Sequence, residues 1–164
     1  MKISAVATER LLLHPLSVAE AERILAGEPG DQDLWGDGYP GAGDVRANTG
    51  FLRGVAERGD PGAFRLYEIR LRDSGVAVGG IGFHGPPDEL GVATIGYGLT
   101  PGVRGNGYAS EALRAVLELA RQAGAEGVKG DADVDNPPSH RVMEAAGMAR
   151  VAADEKLVHF YLGF

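Results

Sequence analysis

The tightest constraint on the fold lies between Tyr67 and Leu99, where three strand-like runs follow one another with only short turns between them. "LYEIRLR" alternates Tyr67, Ile69 and Leu71 with Glu68, Arg70 and Arg72; "DSG" leads into "VAVGGIGF"; and "GPPDELG" returns the chain as "VATIGYGL". Alternation with period two marks a strand with two unlike faces. Turns this short close antiparallel pairs, because a parallel partner needs a crossover of a dozen or more residues. A wholly parallel, doubly wound sheet is therefore excluded.

The flanks add helices. Before the hairpins, a short strand at Leu11 to Leu13 precedes a helix whose Ser17 and Glu20 form a capping box and whose end is Gly27. The stretch from Gly27 to Gly62 is rich in Gly, Pro and Asp, yet it carries Leu34, Trp35, Tyr39, Phe51, Leu52 and Val55, so a loop and a second helix near Asp44 to Glu57 are expected. After the hairpins, Ala109, Leu113, Val116, Leu117 and Ala120 fall on one helical face that closes at Gly124. "GVKGDADVD" then alternates as a strand, so that strand, helix and strand make one parallel, right-handed crossover. A short helix from "PPSHRVMEAAG" and a last strand in "KLVHFYL" complete the chain. The fold class is α/β in the mixed sense. The expectation is a mostly antiparallel sheet of six or seven strands with helices on both faces, in one domain spanning residues 1–164, with 27–62 as an acceptor-side segment.

Composition removes several functions. The formal charge of -7 gives no basic footprint for nucleic acid or an anionic membrane. Cysteine is absent, which excludes disulfides, thiolate metal sites and a cysteine nucleophile. The opening "MKISAVATERLLL" interrupts its apolar run with Thr8, Glu9 and Arg10, and no stretch is long and apolar enough to span a bilayer. The expected setting is cytoplasmic, as a monomer or homodimer. Histidines 14, 84, 140 and 159 form no ligand pair, and Asp131, Asp133 and Asp135 read as a solvated strand edge, so no metal is expected.

The chemistry concentrates in "GLTPGVRGNGYASEAL", residues 98–113. A strand that passes through glycine-rich backbone into a helix start aims unpaired N–H groups and the positive helix end at one point, which suits an anion. Glycine allows close approach, and Arg104 adds charge; the plainer reading is a tight turn that needs glycine for positive φ. A P-loop is excluded because Tyr108 follows Gly107 where lysine is required. "GGIGFHG" matches a dinucleotide fingerprint formally, but Pro86 and Pro87 follow it instead of a helix.

Arg104 to Ala109 resembles the Arg/Gln-x-x-Gly-x-Gly/Ala turn of the GNAT superfamily of acetyl-CoA-dependent N-acyltransferases. "NPPSHRVMEAAGM" is similar to the Asn-x-x-Ser-x-Arg-Val-x-Glu-x-x-Gly-Phe segment of the same superfamily, with Met148 in the last place. "TERLLLHPL", "IGFHG", "IGYGL" and "LVHFYL" resemble the ribosomal-protein N-terminal acetyltransferase-like branch. The resemblance implies acetyl-CoA as co-substrate, with its pyrophosphate on the backbone of Arg104, Gly105, Asn106, Gly107, Tyr108, Ala109 and Ser110. Leu99 and Thr100 would run beside the pantetheine arm, at a splay between the fourth and fifth strands, and Asn136 and Ser139 would contact the arm and the thioester. Asn136 also reads as a turn residue, and Ser139 as a helix cap.

The same resemblance assigns the oxyanion to the N–H of Leu99 and the proton donor for the thiolate to Ser139, because Met143 stands where relatives often have tyrosine. The general base departs from the pattern, since Thr94 occupies the place of the usual glutamate. His84, Asp37, Asp44 and ordered water are the alternatives, and His84 shares a sheet face with Thr94 only in one hairpin register. Trp35, Asp37 and Tyr39 are candidates for the acceptor site, and the acceptor is expected to be an amine on a small molecule or peptide N-terminus. A non-catalytic acyl-CoA-binding module is the other reading.

Overall fold

A computed structural model describes residues 3–164, so Met1 and Lys2 of the expected domain lie outside the described residues. The strands are β1 (Val6–Ala7), β2 (Leu11–Pro15), β3 (Leu66–Leu71), β4 (Ala77–Phe83), β5 (Val92–Leu99), β6 (Gly127–Asp133), β7 (Ala149–Ala153) and β8 (Leu157–Gly163). The helices are α1 (Val18–Ala26), α2 (Ala42–Arg58), α3 (Tyr108–Gln122) and α4 (Pro137–Ala145), with a 3₁₀ turn at Pro101–Val103. One sheet runs in the order β1-β2-β3-β4-β5-β6-β8-β7. Among these strands only β5 and β6 pair in parallel, joined by α3 as the crossover.

The eight strands exceed the six or seven expected. Two-residue β1 is too short to leave a periodic signal, and every residue of β7 is exposed, so no apolar alternation marks it. With β1 counted, the expected splay falls between β5 and β6.

The sheet carries two cores. Odd-numbered Tyr67, Ile69, Ile81, Phe83 and Ile95 join Leu11, Leu13, Leu113, Val116, Met143 and Phe160 beneath α3 and α4. Leu66 turns to the other face and packs with Leu16, which follows β2, and with Ala21, Ile24, Tyr39 and Phe51 from α1, α2 and the loop between them. Local chemistry sets the ends: Ser17 and Glu20 form the capping box that opens α1, and Gly27 ends it at φ 69°. On this second face lies a charged chain, in which His14 Nε2 meets Glu20 Oε2 at 2.7 Å and Arg70 donates to Glu68 Oε1 at 2.8 Å. Burial alone would raise Glu20, but the hydrogen bonds of His14 and Ser17 prevail and hold its carboxyl at about 2.

Candidate functional site

The parallel pair is short. β5 and β6 are in register only at Val92↔Gly127, Ala93↔Val128 and Thr94↔Lys129, although β5 continues to Leu99 and β6 to Asp133. The backbone of β5 beyond Thr94 is directed by its pairing with β4. His84 N–H donates to Thr94 O at 2.9 Å and Thr100 N–H to Val78 O at 2.8 Å, so even-numbered residues bond to β4. The N–H and C=O groups of Ile95, Tyr97 and Leu99 therefore turn towards β6, and beyond the Ile95 N–H, which closes the Thr94↔Lys129 pair, the ladder has ended. A gap lined by hydrogen-bonding groups opens there.

At the end of that gap the chain makes the glycine turn. Gly105 and Gly107 both adopt positive φ, 83° and 82°, which other residues rarely take. Gly107 is the N-cap of α3 and has no side chain to close it, so the first-turn N–H groups of Tyr108, Ala109 and Ser110 have no partner within the helix. Residues 104–107 are exposed. Asn106 braces the turn from inside by donating to Val103 O at 2.9 Å. Arg10 braces it from β2's side: its guanidinium donates to Asn106 O at 2.8 Å, pairs with Glu111 at 2.8 Å and lies 4.5 Å from the centre of the Tyr108 ring. Arg104 folds back to donate to Leu99 O at 3.1 Å, which sets its charge between turn and gap. The arrangement can hold a diphosphate at the helix start and an extended amide-bearing arm along the gap.

Across the gap stands α4. Asn136 is its N-cap, accepting from Ser139 N–H at 3.4 Å, and Pro137 and Pro138 occupy the first positions, where no N–H is needed. The cap is thus Asn136, while the Ser139 hydroxyl points elsewhere, to the Tyr97 hydroxyl at 2.6 Å. Burial raises the Tyr97 phenol, opposed by that hydrogen bond. Sequence does not single out Tyr97, because the tyrosine of relatives is expected seven residues after Asn136; Met143 there is fully buried in the core. The signal was the odd-even alternation of "VATIGYGL", which sends residue 97 to the face that α4 covers.

The opposite face of β4 and β5 is floored by glycine at 80, 96 and 98 and roofed by α2. A cleft of about 560 Å³ lies between, walled by Tyr39, Asp44, Asn48, His84, Leu99, Thr100 and Arg104. The register from Gly79↔Leu99 to Phe83↔Ile95 sets His84 opposite Thr94, on one sheet face. The two side chains diverge all the same: His84 covers Gly96 at the cleft, whereas Thr94 lies beside Lys129, Asp131 and His159. Tyr39 lines the cleft but donates its hydroxyl to Glu68 at 2.8 Å. Trp35 packs edge-on against Tyr39 at 5.9 Å in the second core, and Asp37 is exposed on the turn between them. Asp44 is raised by burial, against the pull of the Gly41 N–H and with a further push from Glu68. Among the described residues no three His, Asp or Glu side chains cluster as a metal site.

Comparison with known proteins gives the family and the fold. The family described as "Acetyltransferase (GNAT) domain" matches residues 10–149. No curated protein sequence gives a match. Among solved structures, a GNAT-family acetyltransferase from Bacillus anthracis is 20% identical over 97% of this chain and 98% of its own, with a TM-score of 0.70. The ribosomal-protein-S5-alanine acetyltransferase from Vibrio fischeri is 11% identical over 97% and 96%, with a TM-score of 0.68. The Microcin C7 self-immunity acetyltransferase MccE, solved with acetyl-CoA and AMP, is 13% identical over 96% and 94%, with a TM-score of 0.66. The chain belongs to the GNAT acetyltransferase family and is an acyltransferase. Members of that family use acetyl-CoA as the acetyl donor.

Proposed function

We propose that this chain transfers the acetyl group of acetyl-CoA directly to an amine, with both substrates meeting where the β5–β6 gap and the α2 cleft share Leu99 and Thr100. The carrying observation is the gap itself: β5 keeps its Tyr97 and Leu99 backbone groups free of β6 on a line that ends at the bare N-terminus of α3. The diphosphate lies on the N–H groups from Arg104 to Ser110, the arm passes Thr100 and Asn136, and the thioester lies between Leu99 and Ser139.

Leu99 N–H then stabilises the oxyanion as the amine attacks, since a fixed donor aimed at developing charge requires no reorganisation during reaction. A thiolate leaving group has a pKa near ~8.5 and needs only a weak donor. The Ser139 hydroxyl, hydrogen-bonded to Tyr97, supplies that proton. Of the proton acceptors considered for the amine, His84 and Asp44 line the cleft, and Asp37 is exposed at its edge. We place the enzyme in the cytoplasm, as a monomer or homodimer, with Tyr39 on the acceptor side of the cleft and Trp35 and Asp37 behind it.

The test is release of CoA thiol from acetyl-CoA in the presence of amines. With no cysteine in the chain, a thiol reagent reads the product without background. Amine-dependent release is expected. Tight acetyl-CoA binding with no release for any amine would instead indicate a binding module, a reading that Thr94 in place of a carboxylate favours.

A further inference from the structure

The roof of the cleft holds two hydrogen-bond acceptors that lack donors. Asp44 uses Oδ2 to accept the Gly41 N–H at 2.9 Å, while Oδ1 hangs over the floor, 2.7 Å from where a Cβ on Gly80 would stand. Among the described residues it forms no salt bridge, and its charged neighbour is another acid, Glu68. Glu68 differs in being satisfied, by the Tyr39 hydroxyl and by Arg70. One helical turn on, Asn48 is 2% exposed; its amide donates to Asp44 O at 2.8 Å, and its Oδ1 has no partner. A buried acceptor left unpaired is unfavourable, and the half-buried Asp44 carboxylate beside it has no cation. A group with several N–H donors and a positive charge, an ammonium, answers the Asp44 carboxylate, and Asn48 lines the same cleft one helical turn away.

The floor leaves room for it. Gly98 faces the same cleft, and a Cβ there would meet nothing within 4 Å. The far end has the opposite polarity. Past Gly43, Ala47 and His84 the cleft continues into a groove of about 580 Å³ that is walled by Arg46 and Arg58. The Arg58 Nη2 lies across that groove, 2.7 Å from a Cβ on Gly54 and 3.4 Å from one on Gly85. Its one acid, Asp60, is already bound to Arg65. Arg58 pairs with Glu57 at 3.5 Å, outside the groove lining, and Arg46 forms no salt bridge among the described residues, so a second ammonium would meet guanidinium groups and no free carboxylate.

Resting on the transfer reading above, we propose that Asp44 and Asn48 Oδ1 seat the acceptor's ammonium and that Asp44 receives its proton, so that the acceptor is a compact primary monoamine whose other end is neutral or anionic. The ammonium gives one proton to Asp44, which passes it to solvent at the His84 mouth. The freed nitrogen forms the bond to the acetyl carbon, and the carbon–sulfur bond breaks. The second proton lost from nitrogen balances the one that the thiolate gains through Ser139. The products are an N-substituted acetamide, CoA thiol and one released proton.

The test uses three amines of one length, 4-aminobutyrate, butylamine and 1,4-diaminobutane, with thiol release as readout and CoA affinity measured by calorimetry. In the wild-type chain kcat/KM is expected to be lowest for the diamine, and Arg46→Ala with Arg58→Ala should erase that order. Asp44→Asn retains an oxygen for the Gly41 N–H and should lower kcat/KM for every amine about 10²-fold or more, leaving CoA affinity unchanged. Gly98→Val leaves the helix cap untouched and should raise the amine KM at least about tenfold, again with CoA affinity intact; it decides the matter if Asp44→Asn fails to fold. Full turnover in Asp44→Asn or Gly98→Val, or a preference for the diamine, overturns the seat while leaving acetyl transfer standing. A wild-type chain that binds acetyl-CoA and releases no thiol with any of the three overturns the transfer reading and the seat with it.

Discussion

Gly107→Val probes the cofactor turn most sharply, and the structure shows that its effect on folding must be separated from its effect on binding. Gly107 sits at φ 82°, and a Cβ there would come within 3.3 Å of an Arg10 guanidinium nitrogen, a flexible end that can move aside. Forcing an L-residue into the left-handed region costs roughly 1–2 kcal/mol, more for a branched one. At about 2–4 °C per kcal/mol for a chain of this size, the melting temperature should fall by roughly 2–8 °C, well short of unfolding at room temperature. Binding should suffer far more. Loss of two charge-assisted N–H bonds to the diphosphate, at about 1.5–3 kcal/mol each, would weaken acetyl-CoA by 10²-fold or more. Gly124→Val is the matched control, because Gly124 has φ 95°, an empty surround and a place at the opposite end of α3. Calorimetry should find acetyl-CoA affinity intact in Gly124→Val and lost in Gly107→Val at similar melting temperatures. Equal, small losses in both would refute a diphosphate at this turn.

Two further outcomes follow from named contacts. If Tyr97 and Ser139, 2.6 Å apart, act as one proton donor, Ser139→Ala and Tyr97→Phe should each lower kcat about tenfold and the double variant no further; multiplied effects would show that they act separately. Glu20, held at about 2 in the fold against ~4.3 unfolded, stabilises the protein fully above pH ~4.3 and loses that contribution as pH falls towards 2. After solvent screening this is worth about 1–2 kcal/mol. Urea titrations over that pH range should show a smaller decline in Glu20→Gln, and identical slopes would remove Glu20 from the acid response.

Much of this was legible in the chain because it depended on local pattern. The capping box at Ser17 and Glu20, the antiparallel hairpins from Tyr67 to Leu99 and the turn at Gly105 and Gly107 are each dictated by a few adjacent residues. Strand β7 was not, because Ala149–Ala153 is exposed throughout and is held in place by its pairing with β8. The site divides along the same line. The proposed cofactor side is backbone, and glycine spacing reveals backbone; the proposed acceptor side joins Asp44 and Asn48 of α2 to Gly80 and Gly98, a meeting that only the tertiary fold creates. Sequence could name Asp44 as one base among several, yet the unpaired Asn48 Oδ1 beside it has no sequence signature at all. Register decided His84 too, setting it opposite Thr94 while its ring turned to the α2 cleft.

The most direct test of the account is a crystal structure of the chain with acetyl-CoA. The diphosphate should lie on the N–H groups of residues 104–110, with the arm in the β5–β6 gap and the thioester oxygen within hydrogen-bond reach of Leu99 N–H. A diphosphate bound away from the start of α3, or an arm outside that gap, would contradict it.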